Sequence, residues 1–407
     1  MLRGLLIVVA AIAAAGCGGS DSESSAGRRL VVYVNAPFSA SPYVGETIAR
    51  GAELGARHVN SQGLNVGGES YVLTIKRVDN GLSPQSAVAN VRGAVDEEAV
   101  AVVDEGTGVD ASWQIARDAN IPLCITYQGG DGLVDPERRP NVFRIAPTDH
   151  GLAFRLAEYL IPKGLKVALL VDDSSYGQEG KDALAQAFEG QEAVVARIDV
   201  PSSSTELAPQ VLRARRAGAT ALLVWARPPV IAATITAARS SGWDVPIYTP
   251  PAGADPLIRQ ELADRPEWVD GLTFASGRMT AEVGTSQFFT FVRTFEEAFG
   301  PQEVGVRTPE GEEVFQPPDY AMYPFDFVRL LAAAMERAGA VRGEPVIRAL
   351  NHATVTGANG DERGFNFVNH EGVIDDDVYF ARFRGMTFAP VEDDPLSASL
   401  PAIEQTR

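Results

Sequence analysis

This 407-residue chain is poor in the side chains most often used for redox, metal and nucleophilic chemistry. It has two cysteines, Cys17 and Cys124, and four histidines, His58, His150, His352 and His370. The histidines lie far apart, without a ligand-like partner three or four residues away, so neither a metal centre nor a histidine base is expected from them. No G-x-S-x-G elbow occurs, and Cys124 sits inside the apolar run IPLCIT, where a thiol is usually inert packing. Neither G-x-G-x-x-G nor G-x-x-x-x-G-K-[ST] is present, which removes the best support for a dinucleotide or nucleotide cofactor. DDSSYGQEGKDA starts like a calcium loop, but Tyr176 and Ala183 stand where oxygen ligands belong. Basic clusters are also missing. With 53 acidic against 35 basic residues the chain carries a formal charge of −18, and nucleic-acid binding is not expected. Long apolar runs are absent except at the start, where Arg3 precedes LLIVVAAIAAAG, a stretch too short to span a bilayer.

That N-terminal layout, a basic residue, an apolar middle and small residues before a cut, reads as a secretory signal over residues 1–16. Ala15-Gly16-Cys17 resembles the lipobox of bacterial lipoproteins, which implies Cys17 as a lipid attachment point. Cys124 is then the one remaining thiol and no internal disulfide can form. SDSESSAGRR completes a flexible tether over residues 17–29. The expected location is extracytoplasmic, at the membrane surface through the lipid.

The remaining body exceeds what one core usually serves, so two domains are expected. LVVYVNA is a strand, and TIARGAELGARHVN puts Ile48, Ala52, Ala56 and Val59 on one helical stripe. YVLTIKRVD, VAVVDE and IPLCIT continue as strands separated by helices opened by Ser-Pro at 83–84 and by Asp110. The alternation restarts after RIAPTDHG, with strands KVALLVDD, VVARIDV, ATALLVWAR and PIYTP, so parallel α/β layers are predicted twice over. ARSSGWDVPIYTPPAG echoes ARDANIPLCITYQGG, which would make the two following loops equivalent positions. Further on, FNFV, VYFARFR and MTFAPVE alternate like antiparallel edge strands, EVGVRTPEGEEVFQPP reads as a long connection, and the tail 394–407 as weakly ordered.

In open α/β sheets ligands bind at the carboxyl ends of strands. Those loops are DEGTGVD, TYQGGDG, DDSSYGQEG, WARPP and TPPAGADP, rich in Gly, small hydroxyls and aromatics. In this order and spacing, with YVGETIARGAELGARHVN, FRIAPTDHGLAFRLAEYL and FDFVRLLAAAMERAG, they resemble the periplasmic binding proteins of branched-chain amino acid ABC importers, over Leu30 to Pro390. The resemblance implies two Rossmann-like lobes joined by three crossovers near Pro147, Thr273 and Gly357, with a ligand clasped between them by hinge closure. Lobe one would hold residues 30–147 and 273–356, and lobe two 148–272 and 357–393. It further implies a monomer that hands a small polar solute (amino acid, amide or carboxylic acid) to a membrane permease, with no enzymatic activity. A sensor feeding a membrane receptor or kinase is the alternative, and a hydrolase a more distant one.

Carried over by motif, the ligand-binding residues are Tyr43, Thr107, Gly129, Gly130, Tyr176, Trp225, Arg227 and Tyr320. For Tyr43, Tyr176 and Trp225 the competing role is hinge or core packing, and for Arg227 an exposed helix start. One departure matters. Where amino-acid-binding relatives offer an acid to the ammonium, this chain has Thr249, Pro250, Pro251 and Ala252. A buried ammonium needs a counter-charge. Asp104 or Glu105 could supply one, whereas Arg227 would suit an anionic solute.

Overall fold

The computed structural model describes residues 27–276, 286–373 and 378–398. The expected signal, Cys17, most of the tether and the end of the tail lie outside them. The first run comprises β1 (Arg28–Ala36), α1 (Pro42–Gln62), β2 (Leu64–Val66), β3 (Glu69–Asp79), α2 (Pro84–Asp96), β4 (Ala101–Asp104), α3 (Val109–Asp118), β5 (Leu123–Ile125) and β6 (Val142–Arg144). The second comprises α4 (Asp149–Leu160), β7 (Val167–Asp172), α5 (Ser175–Ala187), β8 (Val194–Val200), α6 (Ala208–Arg216), β9 (Ala221–Trp225), α7 (Pro228–Ser240), β10 (Ile247–Thr249), α8 (Pro256–Glu261) and β11 (Thr273–Ser276). Then follow α9 (Ser286–Phe299), β12 (Gln302–Arg307), β13 (Glu313–Gln316), α10 (Met322–Ala338), α11 (Glu344–Leu350), β14 (Thr354–Thr356), β15 (Glu362–Gly364), β16 (Tyr379–Arg384), β17 (Thr387–Pro390) and α12 (Pro395–Ala398).

Two sheets result, in the orders β2-β3-β1-β4-β5-β6 and β17-β16-β11-β10-β9-β7-β8. Their central strands pair in parallel, and β16 pairs antiparallel with β11 and β17. Central strands such as β4, β7 and β9 are buried along their whole length, which is why they read as continuous apolar runs. In α1 the predicted stripe of Ile48, Ala52, Ala56 and Val59 is buried against the first sheet and α10. A Cβ on Gly51 would lie 2.1 Å from the Ala321 carbonyl oxygen, so glycine there sets how closely α1 meets the start of α10.

Several expectations change. The stretch 303–318 is a β-hairpin, not an irregular connection. FNFV is not a strand, because Asn366 and Asn369 close a tight turn on each other. Gly108, at φ +77°, precedes α3, leaving Asp110 inside the first turn instead of at the cap. Asp394 is buried and ion-paired with Arg155. β11 belongs to the second sheet, while Phe365 and Val373 are buried in the first lobe's core. Thr273 thus pairs within the second lobe's sheet, and chain beyond Gly357, at Phe365 and Val373, still packs in the first lobe's core.

Candidate functional site

The carboxyl ends of both sheets face one cleft. Loops after β5 and β10, the two that echo each other in sequence, supply opposite walls through Tyr127 and Gln128 on one side and Pro251 and Ala252 on the other. The cleft is closed by Pro147 of the first crossover, by Asp149 and Leu152 of α4, by Tyr176 of α5, by Ser276 ending β11, and by Tyr320 and Tyr323 at the start of α10. The enclosed cavity among them has a volume of about 40 Å³.

Four tyrosines dominate the wall. Tyr320 meets Tyr127 edge-on at 4.9 Å between ring centroids and Tyr43 at 6.2 Å, and its hydroxyl donates to the Pro251 carbonyl at 3.3 Å. Tyr43 stands behind Tyr320, where its hydroxyl accepts from Gln316 Nε2 at 3.0 Å. Trp225 is fully buried in the second lobe's core, 5.9 Å from Tyr176 between centroids. A Cβ on Gly180 would come within 2.3 Å of its indole, so the ring packs directly on α5 where only glycine leaves room. Trp225 backs Tyr176, and Tyr176 faces the space.

Gly129 and Gly130 lie where the lobes touch. A Cβ on Gly129 would sit 2.5 Å from Asp149 Oδ1, and one on Gly130 would sit 2.7 Å from Glu179 Oε2 of α5. Their lack of side chains lets the first lobe's loop rest on the starts of α4 and α5. Arg144 holds the same loop from behind. It forms a two-point pair with Glu371, both contacts 2.7 Å, and donates Nη1 to the carbonyls of Gln128 at 3.3 Å and Gly130 at 2.9 Å.

Asp104 and Glu105 are buried in a network behind the wall. Asp104 accepts from Asn35 and the Gly106 amide, both at 2.7 Å, while Glu105 accepts from Asn80, the Thr107 amide and Gln128. Gln128 Nε2 also donates to Thr107 Oγ1 at 3.0 Å, so Thr107 orients a lining residue. Arg227 lies apart. Its amide donates to Asp172 Oδ2 at 2.8 Å and its half-exposed guanidinium donates to the Ser202 carbonyl at 3.1 Å.

Sequence reasoning did not single out Asp149. Thr148 caps α4, its hydroxyl accepting from the Gly151 amide at 2.9 Å, which leaves Asp149 without a capping role. The Asp149 side chain is buried, lines the cavity, and its Oδ2 has no hydrogen-bond partner among the described residues. Burial, then the nearby Glu179, push its carboxyl up to about 8, with Arg144 opposing. None of the described residues lining the cavity is a lysine or arginine. A threonine-aspartate pair at a predicted helix start, one residue more than a cap needs, was the available signal.

Over residues 31–387 the sequence matches the family model described as "Periplasmic binding protein". The chain belongs to the periplasmic binding protein family. It is similar to an "Amino acid binding protein" of Pseudomonas aeruginosa, 27% identical over 343 residues that span 76% of this chain and 79% of that one. Among solved structures, the Streptococcus pneumoniae branched-chain amino acid transporter substrate-binding protein LivJ, in complex with isoleucine, superposes with a TM-score of 0.73 at 19% identity, covering 89% of this chain and 98% of that one. A solute-binding protein of an R. palustris ABC transporter, in complex with 4-hydroxybenzoate, gives 0.71 at 17% identity, covering 88% and 95%. The two-lobed α/β architecture expected from sequence is that of these periplasmic binding proteins.

Proposed function

We propose that this periplasmic binding protein is a lipid-anchored extracytoplasmic receptor, moored through Cys17, that captures a small ammonium-bearing solute by hinge closure and delivers it to an ABC permease. The observation that supports the ligand class is Asp149, a buried carboxyl group with an oxygen unpartnered among the described residues, in a tyrosine-walled cavity whose described lining holds no lysine or arginine. An isolated buried carboxylate is costly, and an ammonium would both neutralise it and sit against the faces of Tyr127, Tyr176 and Tyr320. Asp149 thus takes the place of the acid missing from the TPPAGAD loop, in preference to Asp104 and Glu105, whose oxygens are already engaged. A simple aromatic carboxylate would bring no positive charge to pair with this group in its ionised form. An amino acid fits better, its carboxylate met by backbone amides at the helix starts.

In this reading Tyr176 and Tyr320 touch the solute, Gly129 and Gly130 shape the floor, Thr107 and Trp225 support the wall, and Arg227 has no ligand role. The nearness of the Pseudomonas amino acid binding protein in sequence supports the choice of solute. Calorimetry on the lipid-free body against amino acids, amines, amides and benzoates tests it. Ammonium solutes are expected to bind, and Asp149→Asn to weaken them by about 100-fold, the usual scale for unpairing a desolvated charge. Tighter binding of benzoates than of any ammonium solute would overturn the ligand class, and hydrolysis of a solute without binding would overturn the receptor reading.

A further inference from the structure

The hairpin of β12 and β13 leaves the first lobe after α9 and returns to it at α10, yet its side chains are buried elsewhere. Val304 and Val314 lie in the second lobe's core with Ile258, Leu262 and Phe383. Gln260 Nε2 of α8 donates to the Val304 carbonyl at 2.7 Å. Arg259, also of α8 and fully buried, donates Nη1 to the Met386 carbonyl at 3.2 Å and Nη2 to Gln316 Oε1, and it lies over the rings of Phe383 and Phe388 at 5.5 and 5.1 Å.

Toward α1 of its own lobe the hairpin makes neutral and longer contacts. Gln316 Nε2 donates to the Tyr43 hydroxyl at 3.0 Å, that hydroxyl donates to the Pro317 carbonyl at 3.5 Å, and Thr47 Oγ1 donates to Gln302 Oε1 at 3.3 Å. Apolar burial and a charge-assisted bond outweigh such contacts. We infer that residues 302–316 are an arm of the first lobe anchored in the second, and that the seam which parts on opening runs between this arm and Tyr43 and Thr47 of α1.

Two features make the seam the moving part. The end of β6 and the segment 370–372 run side by side, where Arg144 pairs with Glu371 and the Gly372 amide donates to the Arg144 carbonyl at 2.7 Å. β1, which leads into α1, is three places from β6 in the sheet, roughly 14 Å at about 4.8 Å per strand. A rotation of about 10° at β6 would therefore shift the seam by roughly 2–3 Å, past hydrogen-bond reach. Gly300, at φ +80°, precedes the arm and Pro317-Pro318 follows it, so bending is confined to its two ends. Tyr43 is then a positioning residue: only in the closed arrangement does the seam hold it edge-on to Tyr320 of the cavity wall.

The test uses the ligand-free lipid-free body and needs no solute, so its outcome is separate from the receptor reading above. Hydrogen exchange should show arm amides at 303–306 and 313–316 exchanging at least about tenfold more slowly than the first turn of α1, and in step with β9 and β10. Tyr43→Phe with Thr47→Val removes the seam hydroxyls and keeps the ring packing. It should widen the lobes, seen as a larger radius of gyration by small-angle scattering, without loss of arm protection. Arm amides that exchange as fast as the first turn of α1, or a double variant whose scattering and α1 exchange match the wild type, would overturn the assignment.

Discussion

Replacing Asp149 by Asn should make the empty protein sturdier and the receptor useless. In the folded protein this carboxyl keeps its proton up to about pH 8, whereas in the unfolded chain it ionises near pH 4. Between those values the folded state binds more protons, so its stability falls as pH rises through the window. Each pH unit contributes at most about 1.4 kcal/mol, which bounds the cost of the ionised group at roughly 5–6 kcal/mol by pH 9. Opening of the cleft admits water to the carboxylate, and a realised cost of about 2 kcal/mol is the working figure. The Asn side chain carries no charge at any pH. Thermal melts of the ligand-free pair should therefore coincide near pH 4 and separate progressively, with the variant about 2–3 °C higher at pH 9. Asp104, Asp255 and Asp326 are raised by burial to about 7, 6 and 7 and impose the same downward slope on both proteins, so the difference isolates Asp149. Parallel melting curves across pH 4–9 would show that Asp149 is not an uncompensated acid, and the case for an ammonium partner would fall with it.

Gly51→Ala should destabilise by about 1–3 kcal/mol in denaturant titrations, because the new methyl meets the Ala321 carbonyl oxygen, a backbone atom that cannot swing aside. Arg227→Ala should leave solute affinity unchanged within twofold by calorimetry, since its guanidinium bonds the Ser202 carbonyl outside the cavity; a tenfold loss would return it to the site. Cys17→Ser should release the protein from membranes into the soluble extracytoplasmic fraction, read by fractionation and by loss of fatty-acid labelling; continued membrane retention and labelling would remove the lipid anchor.

Periodicity made the layers legible. Buried parallel strands such as ALLVW are apolar throughout, α1 carries its stripe at helical spacing, and the repeated unit shows in the matching runs before the β5 and β10 loops. Composition around strand ends pointed to these loops: Tyr176 and Tyr320 line the cavity, and Gly129 and Gly130 lie against Asp149 and Glu179. The hairpin was hidden because its Gly, Pro and Glu content matches that of a loop; only Val304, Val306, Val314 and Phe315 differ, and the core that Val304 and Val314 enter belongs to residues about thirty or more positions away. Trp225 and Arg227 show a related limit: both end a strand next to the cleft, but the facing of a side chain at a strand end depends on its neighbour, here Gly180 and Asp172. Asp149 was concealed by resembling a cap.

Arg144 touches the segment 370–372 through Glu371 and the cavity wall through the carbonyls of Gln128 and Gly130. On the hinge proposed above, pivot and wall are one mechanical part on the first-lobe side, and a substitution in that loop is expected to disturb the swing of the lobes along with the shape of the pocket. The second-lobe face, built by Tyr176 and Ala252, carries no such double duty. Retuning the protein toward another solute, or converting it into a reporter with a fluorophore beside the pocket, is best done from that face, leaving the gait of the hinge as it is.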